Sequence, residues 1–533
     1  MIQLSGVTFT YSHGDASVLK RVNLEFKAGE FSLITGPTGS GKSTFLKVIN
    51  RLIPNFTPGG FSGQVFIESK DITSSKPQDI AELVGYVSQH PEDSFVGLTV
   101  IDELAFAMEQ LGFEPTQMEE RITRIADLVG ISDLLDRNVD SLSGGEQQRV
   151  AIGAALTAGQ KVLLLDEPLS SLDREISSEL VHLLKDLSTN HAVTVLIAEH
   201  RLECLSNHVD SVVAINTDGS VTKAASVTDI LDYRVQPPLT VLSMQLGWQP
   251  VANNTGNARK LWAKYKNDFS FEHRKEVSNL PKRVIASISN LSIKYGGASV
   301  VAGVNLEVCA GQVTALMGPN GSGKTSCLWA IQGTGPKSSG SIQIQGIEPS
   351  DLKARDRLEL VAMVPQKATD LLFLETLAEE LDESDTSAGV ASGSTSAIFE
   401  RLAGRPDPKT HPRDLSSGQQ LALVLAAQLV KDAPLLLLDE PTRGLDYAAK
   451  HQLAEVIGTL TQEGKAVVLA SHDVEFIAQV CDYVLVLGDG GVTSQGTPEE
   501  VLLPGSIYET QVGRVTQIPG LLTSRQIKVR NEI

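Results

Sequence analysis

Two stretches of this 533-residue chain set glycines, a lysine and a hydroxyl at the spacing that grips phosphate. The first reads Gly36, Pro37, Thr38, Gly39, Ser40, Gly41, Lys42, Ser43 and Thr44; the second reads Gly318, Pro319, Asn320, Gly321, Ser322, Gly323, Lys324, Thr325 and Ser326. In the pattern G-x-x-x-x-G-K-[ST] the glycines let backbone N–H groups curl around nucleotide phosphates, and the positive end of the following helix adds attraction. Lys42 and Lys324 are expected to reach the β and γ phosphates, and the hydroxyls of Ser43 and Thr325 to ligate Mg²⁺.

Each loop has an acidic pair downstream: "VLLLDEP" carries Asp166 and Glu167, and "LLLLDEP" carries Asp439 and Glu440. The aspartates are placed to hold Mg²⁺ through its waters. Each glutamate is the candidate general base, since a carboxylate beside the γ-phosphate can accept the proton of the attacking water. His200 and His472 end a further apolar strand, where a neutral imidazole can bridge γ-phosphate and water. Gln89 and Gln366 are expected to touch Mg²⁺ or water. Tyr11 and Tyr295 precede their loops by 25 and 23 residues and offer an aromatic face to adenine. Any one of these residues alone is more often packing or surface; their recurrence in the same order favours chemistry.

That recurrence sets the architecture. The loops are offset by 282 residues, Gln89 and Gln366 by 277, Asp166 and Asp439 by 273, and His200 and His472 by 272, so the chain is two homologous halves. "EFSLITG" and "QVTALMG" are apolar strands running into glycine loops and then helices. Near-continuous apolar runs of this kind predict parallel strands buried on both faces, hence an α/β core in each half. The expected domains are 1–235 and 284–515. A connector at 236–283 has turn and linker composition and is locally basic toward its end, and a tail at 516–533 shows no clear pattern. The Ser/Gly/acidic run Asp382 to Ala397 predicts a mobile surface loop.

Two further phrases repeat: "SLSGGEQQR" with Ser143, Gly144, Gly145 and Glu146, and "DLSSGQQ" with Ser416, Ser417, Gly418 and Gln419. With them in view, both halves resemble ABC-type ATPase domains. The resemblance implies two tandem P-loop NTPase domains, each a mostly parallel sheet core with a helical subdomain and an antiparallel β subdomain. It also implies that the halves pair head to tail within one chain, each ATP lying between one phosphate loop and the other half's signature phrase. The first site then joins Gly36 to Ser43, Tyr11, Gln89, Asp166, Glu167 and His200 with Ser416 to Gln420. The second joins Gly318 to Thr325, Tyr295, Gln366, Asp439, Glu440 and His472 with Ser143 to Gln147. Signature residues heading a helix can bind the γ-phosphate through N–H groups and a serine hydroxyl. Ser417, standing where glycine stands in the first copy, is expected to make the two sites mildly unequal without inactivating either.

The segment "QHPEDSFVGLTVIDELAFAMEQLG" (Gln89 to Gly112) is similar to the pattern of energy-coupling factor ATPases, which drive vitamin and cobalt or nickel uptake, departing from it at His90, Ser94, Glu103 and Leu104. The resemblance implies an integral membrane coupling protein, a membrane substrate-binding subunit and a peripheral location on the cytoplasmic side of the cell membrane. ATP with Mg²⁺ is the expected cofactor. Composition agrees with a soluble globular chain, 41% hydrophobic and 20% charged, and no apolar run is long enough to span a bilayer. Forty-five basic against 64 acidic residues give a net charge of −19, which argues against nucleic acid as a partner. The four cysteines are scattered without metal-ligand spacing. Twin ATPases acting on ribosomes or nucleic acid, and ATPases of sugar or peptide importers, are the alternative readings.

Overall fold

A computed structural model describes residues 1–12, 16–170, 172, 174–200, 202–229, 236–252, 254–272, 283–296 and 298–529. The chain divides into two compact units, Met1–Pro237 and Pro238–Ile533.

In the first unit the strands Phe31–Thr35, Val162–Asp166 and Thr194–Ala198 are buried at every residue. With no polar face to turn to water, such strands pair in the middle of a parallel sheet covered on both sides. The six-stranded sheet runs in the order Val221–Ala224, Ser211–Ile215, Phe31–Thr35, Thr194–Ala198, Val162–Asp166, Val84–Val87, antiparallel only at the first pair. A second, antiparallel sheet orders Leu19–Phe26, Ile2–Tyr11, Gly59–Ile67 and Lys70–Asp71. Between the sheets lies the helix Lys42–Ile49, whose Phe45, Leu46, Val48 and Ile49 share one core with Ile2, Leu4, Phe9, Leu164 and Val213. Helices Val100–Gln110, Pro115–Val129 and Gly144–Ala154 form the helical part.

The second unit repeats the plan. Its six-stranded sheet orders Val361–Val364, Leu435–Asp439, Ala466–Ala470, Val313–Met317, Tyr483–Gly488 and Gly491–Gly496, again antiparallel only at the last pair. Its antiparallel sheet orders Ala298–Cys309, Val284–Tyr295 and Ser339–Ile344. The expected α/β class, with parallel core, antiparallel sheet and helical part in each half, describes both units.

Two segments fold otherwise than their composition suggests. The run Asp382 to Ala397 is mostly helical: it lies on helices Leu377–Ala388 and Ser394–Ala403, with only residues 389–393 left as the turn between them. Thr376 caps the first helix, and Ser384 and Thr386 spend their hydroxyls on the carbonyls of Glu380 and Asp382 one turn back. Buried Asp385 fixes the bend, accepting from Gly393 N at 2.6 Å and from Thr395 N at 2.8 Å and Oγ1 at 2.6 Å.

The segment read as connector carries helices Pro238–Gln245 and Thr255–Tyr265, the latter capped by Asn254, whose side chain accepts from Asn257 N at 2.8 Å. Trp248, Trp262 and Phe269 pack with Val512, Val515, Leu521 and Ile527 from the C-terminal end of the same unit. Trp262 stacks on Phe269 with centroids 6.1 Å apart, Arg259 Nε donates to Arg514 O at 2.9 Å, and Phe269–Phe271 pairs with Ile527–Val529. Linker composition here is a capping and turn sequence between aromatic anchors whose partners are remote in the chain. Residues 273–282 of the connector and 530–533 of the tail lie outside the described residues.

Candidate functional site

Each phosphate loop leaves a buried strand and enters a helix through a left-handed glycine, Gly41 before Lys42–Ile49 and Gly323 before Lys324–Gln332. Gly36 and Gly318 show why glycine is required at the loop's start. Both have positive φ, and a Cβ there would sit 2.2 Å from the carbonyl oxygen of Ile215 or Leu487. Lys42 Nζ donates to Gly36 O at 3.1 Å and Pro37 O at 3.3 Å; Lys324 Nζ donates to Gly318 O at 2.9 Å and Pro319 O at 3.0 Å. The ammonium groups thus lie across their own loops. Ser40 Oγ and Ser322 Oγ are buried without a hydrogen-bond partner, in cradles otherwise built from backbone donors. An anion's oxygens suit such orphaned hydroxyls.

At the first turn of each following helix, Ser43 Oγ donates to Asp166 Oδ1 at 2.9 Å and Thr325 Oγ1 donates to Asp439 Oδ1 at 3.1 Å. Hydroxyl and carboxylate oxygens are the hard donors Mg²⁺ prefers, so the residues present fit that ion. Burial raises the Asp166 carboxyl above its ordinary range, the neighbouring Glu167 adding to it. Burial likewise raises Asp439, to about 6. A bound dication would offset both costs.

Glu167 and Glu440 follow directly, and both hold a left-handed backbone, φ 49° and 47°. For a non-glycine residue this conformation costs on the order of 1–3 kcal/mol, and its occurrence at the same place in both units marks a functional constraint. It is held by the backbone bonds Glu167 N to Ala198 O and Glu440 N to Ala470 O, each 2.9 Å. Burial pushes the Glu167 pKa up, but His200, Lys42 and His90 outweigh it and leave the group below its ordinary value. It stands ionised at neutral pH.

What surrounds the two glutamates differs. In the first unit Gln89 Nε2 donates to Glu167 Oε2 at 3.0 Å, while His200 Nδ1 stops 3.6 Å from Oε1. In the second, His472 Nδ1 lies 2.9 Å from Glu440 Oε2, and Gln366 is exposed with no hydrogen bond to Glu440 among the described residues. The structure therefore brings Gln89, Glu167 and His200 together, but of the second set only Glu440 and His472. Tyr11 and Tyr295 sit alike: their hydroxyls reach Thr44 Oγ1 at 2.7 Å and Ser326 Oγ at 3.5 Å. Tyr295 is 49% exposed, whereas the Tyr11 ring meets Phe9 edge-on.

The signature phrases start helices. Ser143 caps Gly144–Ala154 and Ser416 caps Ser417–Leu429, each in a reciprocal capping box with Glu146 or Gln419. The backbone of Ser143 holds the Glu146 pKa below its ordinary value, with Arg137 adding to it at 3.2 Å. A Cβ on Gly144 would meet nothing within 4 Å, whereas one on Gly145 would sit 2.8 Å from Ile176 Cγ2. The unit itself thus demands glycine only at the second position, which is the one the other copy keeps as Gly418.

Two residues escaped the sequence reading. Tyr86 donates its hydroxyl to Asp166 Oδ2 at 3.2 Å. Fully buried Glu199 accepts from Leu169 N at 2.7 Å and His200 N at 3.2 Å, tying the loop after Glu167 to the histidine. Both are replaced in the other half, by Met363 and Ser471, so a search for repeated residues passes over them.

The sequence profile of the ABC transporter family matches residues 19–170 and again 301–443. A putative ABC transporter ATP-binding protein of Streptomyces avermitilis is 36% identical, covering 99% of each chain. The putative HMP/thiamine import ATP-binding protein YkoD of Bacillus subtilis is 27% identical, covering 94% of this chain and 92% of its own. Among solved structures, a model of ribosome-bound archaeal Pelota and ABCE1 contains a chain matched over 92% of this one and 79% of its own, with a TM-score of 0.59 at 22% identity, a likeness of fold. This match corrects part of what the resemblance implied. A solved fold that follows this chain through both halves comes from a ribosome-bound assembly and not from a membrane transport complex. The membrane coupling protein, the membrane substrate-binding subunit, the peripheral membrane location and the exclusion of nucleic acid are accordingly withdrawn; the fusion of both ATPase halves in one chain stands. No helix among the described residues is long and apolar enough to cross a membrane.

Proposed function

Since this chain belongs to the ABC transporter family as a fused pair of energy-coupling-factor-like ATPase domains that hydrolyse ATP with Mg²⁺, we propose that its two ATP sites energise the uptake of a small molecule of the vitamin or transition-metal class. One observation carries the chemistry. The same constellation is built twice on the same elements: Lys42, Ser43, Asp166, Glu167 and His200, then Lys324, Thr325, Asp439, Glu440 and His472. In this reading the lysines and loop N–H groups hold the β and γ phosphates, and the Ser43–Asp166 and Thr325–Asp439 pairs hold Mg²⁺, which neutralises charge developing on the phosphoryl oxygens. Gln89 belongs to the same metal and water environment. Glu167 and Glu440 orient water and take its proton, and His472 steadies Glu440 by a hydrogen bond where Gln89 steadies Glu167. The helix starts Ser143 to Glu146 and Ser416 to Gln419 offer N–H donors to a γ-phosphate, and Tyr11 and Tyr295 offer rings to adenine.

Uptake is supported by the import role in the name of the Bacillus subtilis relative. A second reading, a twin ATPase that works on ribosomes or nucleic acid, is supported by the whole-chain likeness of fold to a chain from a ribosome-bound assembly. Purified protein should release phosphate from MgATP and lose that activity in the double variant K42A/K324A. The readings then part in cells. Under the first, deleting the chain abolishes uptake of a labelled vitamin or metal ion and leaves ribosome profiles unchanged. ATP-dependent co-sedimentation with ribosomes, with uptake intact, would establish the second instead.

A further inference from the structure

Tyr86 lies three residues before Gln89 on the strand Val84–Val87, which pairs in parallel with Val162–Asp166 so that Tyr86 stands beside Leu164 and Val87 beside Leu165. From there its hydroxyl reaches Asp166 Oδ2 at 3.2 Å while Ser43 Oγ donates to Oδ1 at 2.9 Å. Both oxygens of the first aspartate are thereby held. In the second unit the strand Val361–Val364 pairs with Leu435–Asp439 in the same register, Met363 beside Leu437 and Val364 beside Leu438. Met363 is buried at Tyr86's place, and its thioether has no proton to give. Asp439 keeps the bond from Thr325 to Oδ1.

We infer that Tyr86 is a positioning residue that fixes the Asp166 carboxylate for Mg²⁺, so that the first metal site is preorganised in a way the second is not. The inference rests on the reading that Asp166 and Asp439 serve Mg²⁺ bound with ATP. A carboxylate held through one oxygen turns freely about its terminal torsion, whose profile is broad and two-fold. Held through both, it presents one orientation. Removing an outer partner of a metal-binding residue typically lowers metal affinity about 10- to 100-fold. A tyrosine serving only to pack the core would lose nothing on becoming phenylalanine.

The test uses Mn²⁺ as probe, titrated by electron paramagnetic resonance into the full chain saturated with a non-hydrolysable ATP analogue. The unsubstituted protein is expected to show two sites of unequal affinity. Y86F weakens the tighter site about tenfold and leaves the other unchanged, and M363Y tightens the weaker one. In turnover assays Y86F raises the Mg²⁺ concentration for half-maximal rate while kcat at saturating Mg²⁺ is retained. Unchanged Mn²⁺ affinities in folded Y86F would overturn the inference, and should Y86F not fold, unchanged affinities in folded M363Y would do so. Absence of any nucleotide-dependent Mn²⁺ binding in the unsubstituted chain would instead refute the ATPase assignment of these aspartates.

Discussion

Replacing His472 by alanine removes a ring nitrogen 2.9 Å from Glu440 Oε2, whereas replacing His200 removes one 3.6 Å from Glu167 Oε1. The first is a hydrogen bond to a carboxylate, worth about 1.5–3 kcal/mol. Spent wholly on orienting the base, that range corresponds to about 10- to 150-fold in rate. The second separation exceeds hydrogen-bonding range, and Glu167 retains its bond from Gln89 at 3.0 Å. Contacts of either imidazole with phosphate would be lost equally, so the readable quantity is the ratio of the two effects. H472A should therefore cost about tenfold more turnover at its own site than H200A does. Q89A should lower the first site's rate, because it removes the hydrogen bond that Glu167 accepts at 3.0 Å. Phosphate release is measured in the whole chain, then in chains whose other half carries K42A or K324A. Equal losses for H200A and H472A would refute the reasoning, as would a silent Q89A.

E167Q and E440Q, each removing the proposed general base, are expected to slow turnover by about 10²–10⁴-fold at the affected site and by unequal amounts in the whole chain; matching steady-state losses would contradict the asymmetry. G144S should melt within about 0.5 kcal/mol of the parent, since its Cβ meets nothing, while G145A should cost about 1–3 kcal/mol through the approach to Ile176, both by urea unfolding. Asp385 gives a pH dependence: burial raises its pKa, but the bonds from Thr395 and Gly393 prevail and depress it. Its stabilisation is therefore complete above the unfolded carboxylate pKa of about 4 and is lost as pH falls through the lower folded value. D385N should destabilise by about 1.5–3 kcal/mol at pH 7, with the difference from the parent shrinking below pH ~4. W248A should cost about 3–5 kcal/mol in the unfolding of the second unit while nucleotide binding persists, because Trp248 packs far in sequence from either phosphate loop.

The parallel core was legible because its strands are near-continuous apolar runs, and the phosphate loops because their spacing is dictated by the geometry of an anion. The reading faltered where the deciding partner is remote or unlike its counterpart. Nothing local to Trp248 or Trp262 announces Val512 or Ile527, so a segment rich in Asn and Gly looked like a linker. The run around Asp385 looked mobile because composition counts its serines and glycines as solvent-seeking, whereas here they cap helices and bond back to the chain. Gln366 was paired with Gln89 by position, yet only Gln89 reaches its glutamate, a difference of side-chain placement that spacing does not encode. Tyr86 leaves no mark in the repeat for the converse reason, since its contact with Asp166 exists in one half alone.

The ribbon formed by Phe269–Phe271 and Ile527–Val529 has a consequence for how the molecule is made. Translation delivers Trp248 and Trp262 long before Val512, Val515, Leu521 and Ile527, so for the whole interval a nascent chain carries two indoles whose C-terminal partners are still to come. Sticky aromatic surface on an unfinished polypeptide is what recruits holding factors and seeds aggregation. A chain arrested before residue 512 can complete its first unit, but it leaves the exit tunnel with an open aromatic seam where the finished protein has a closed one.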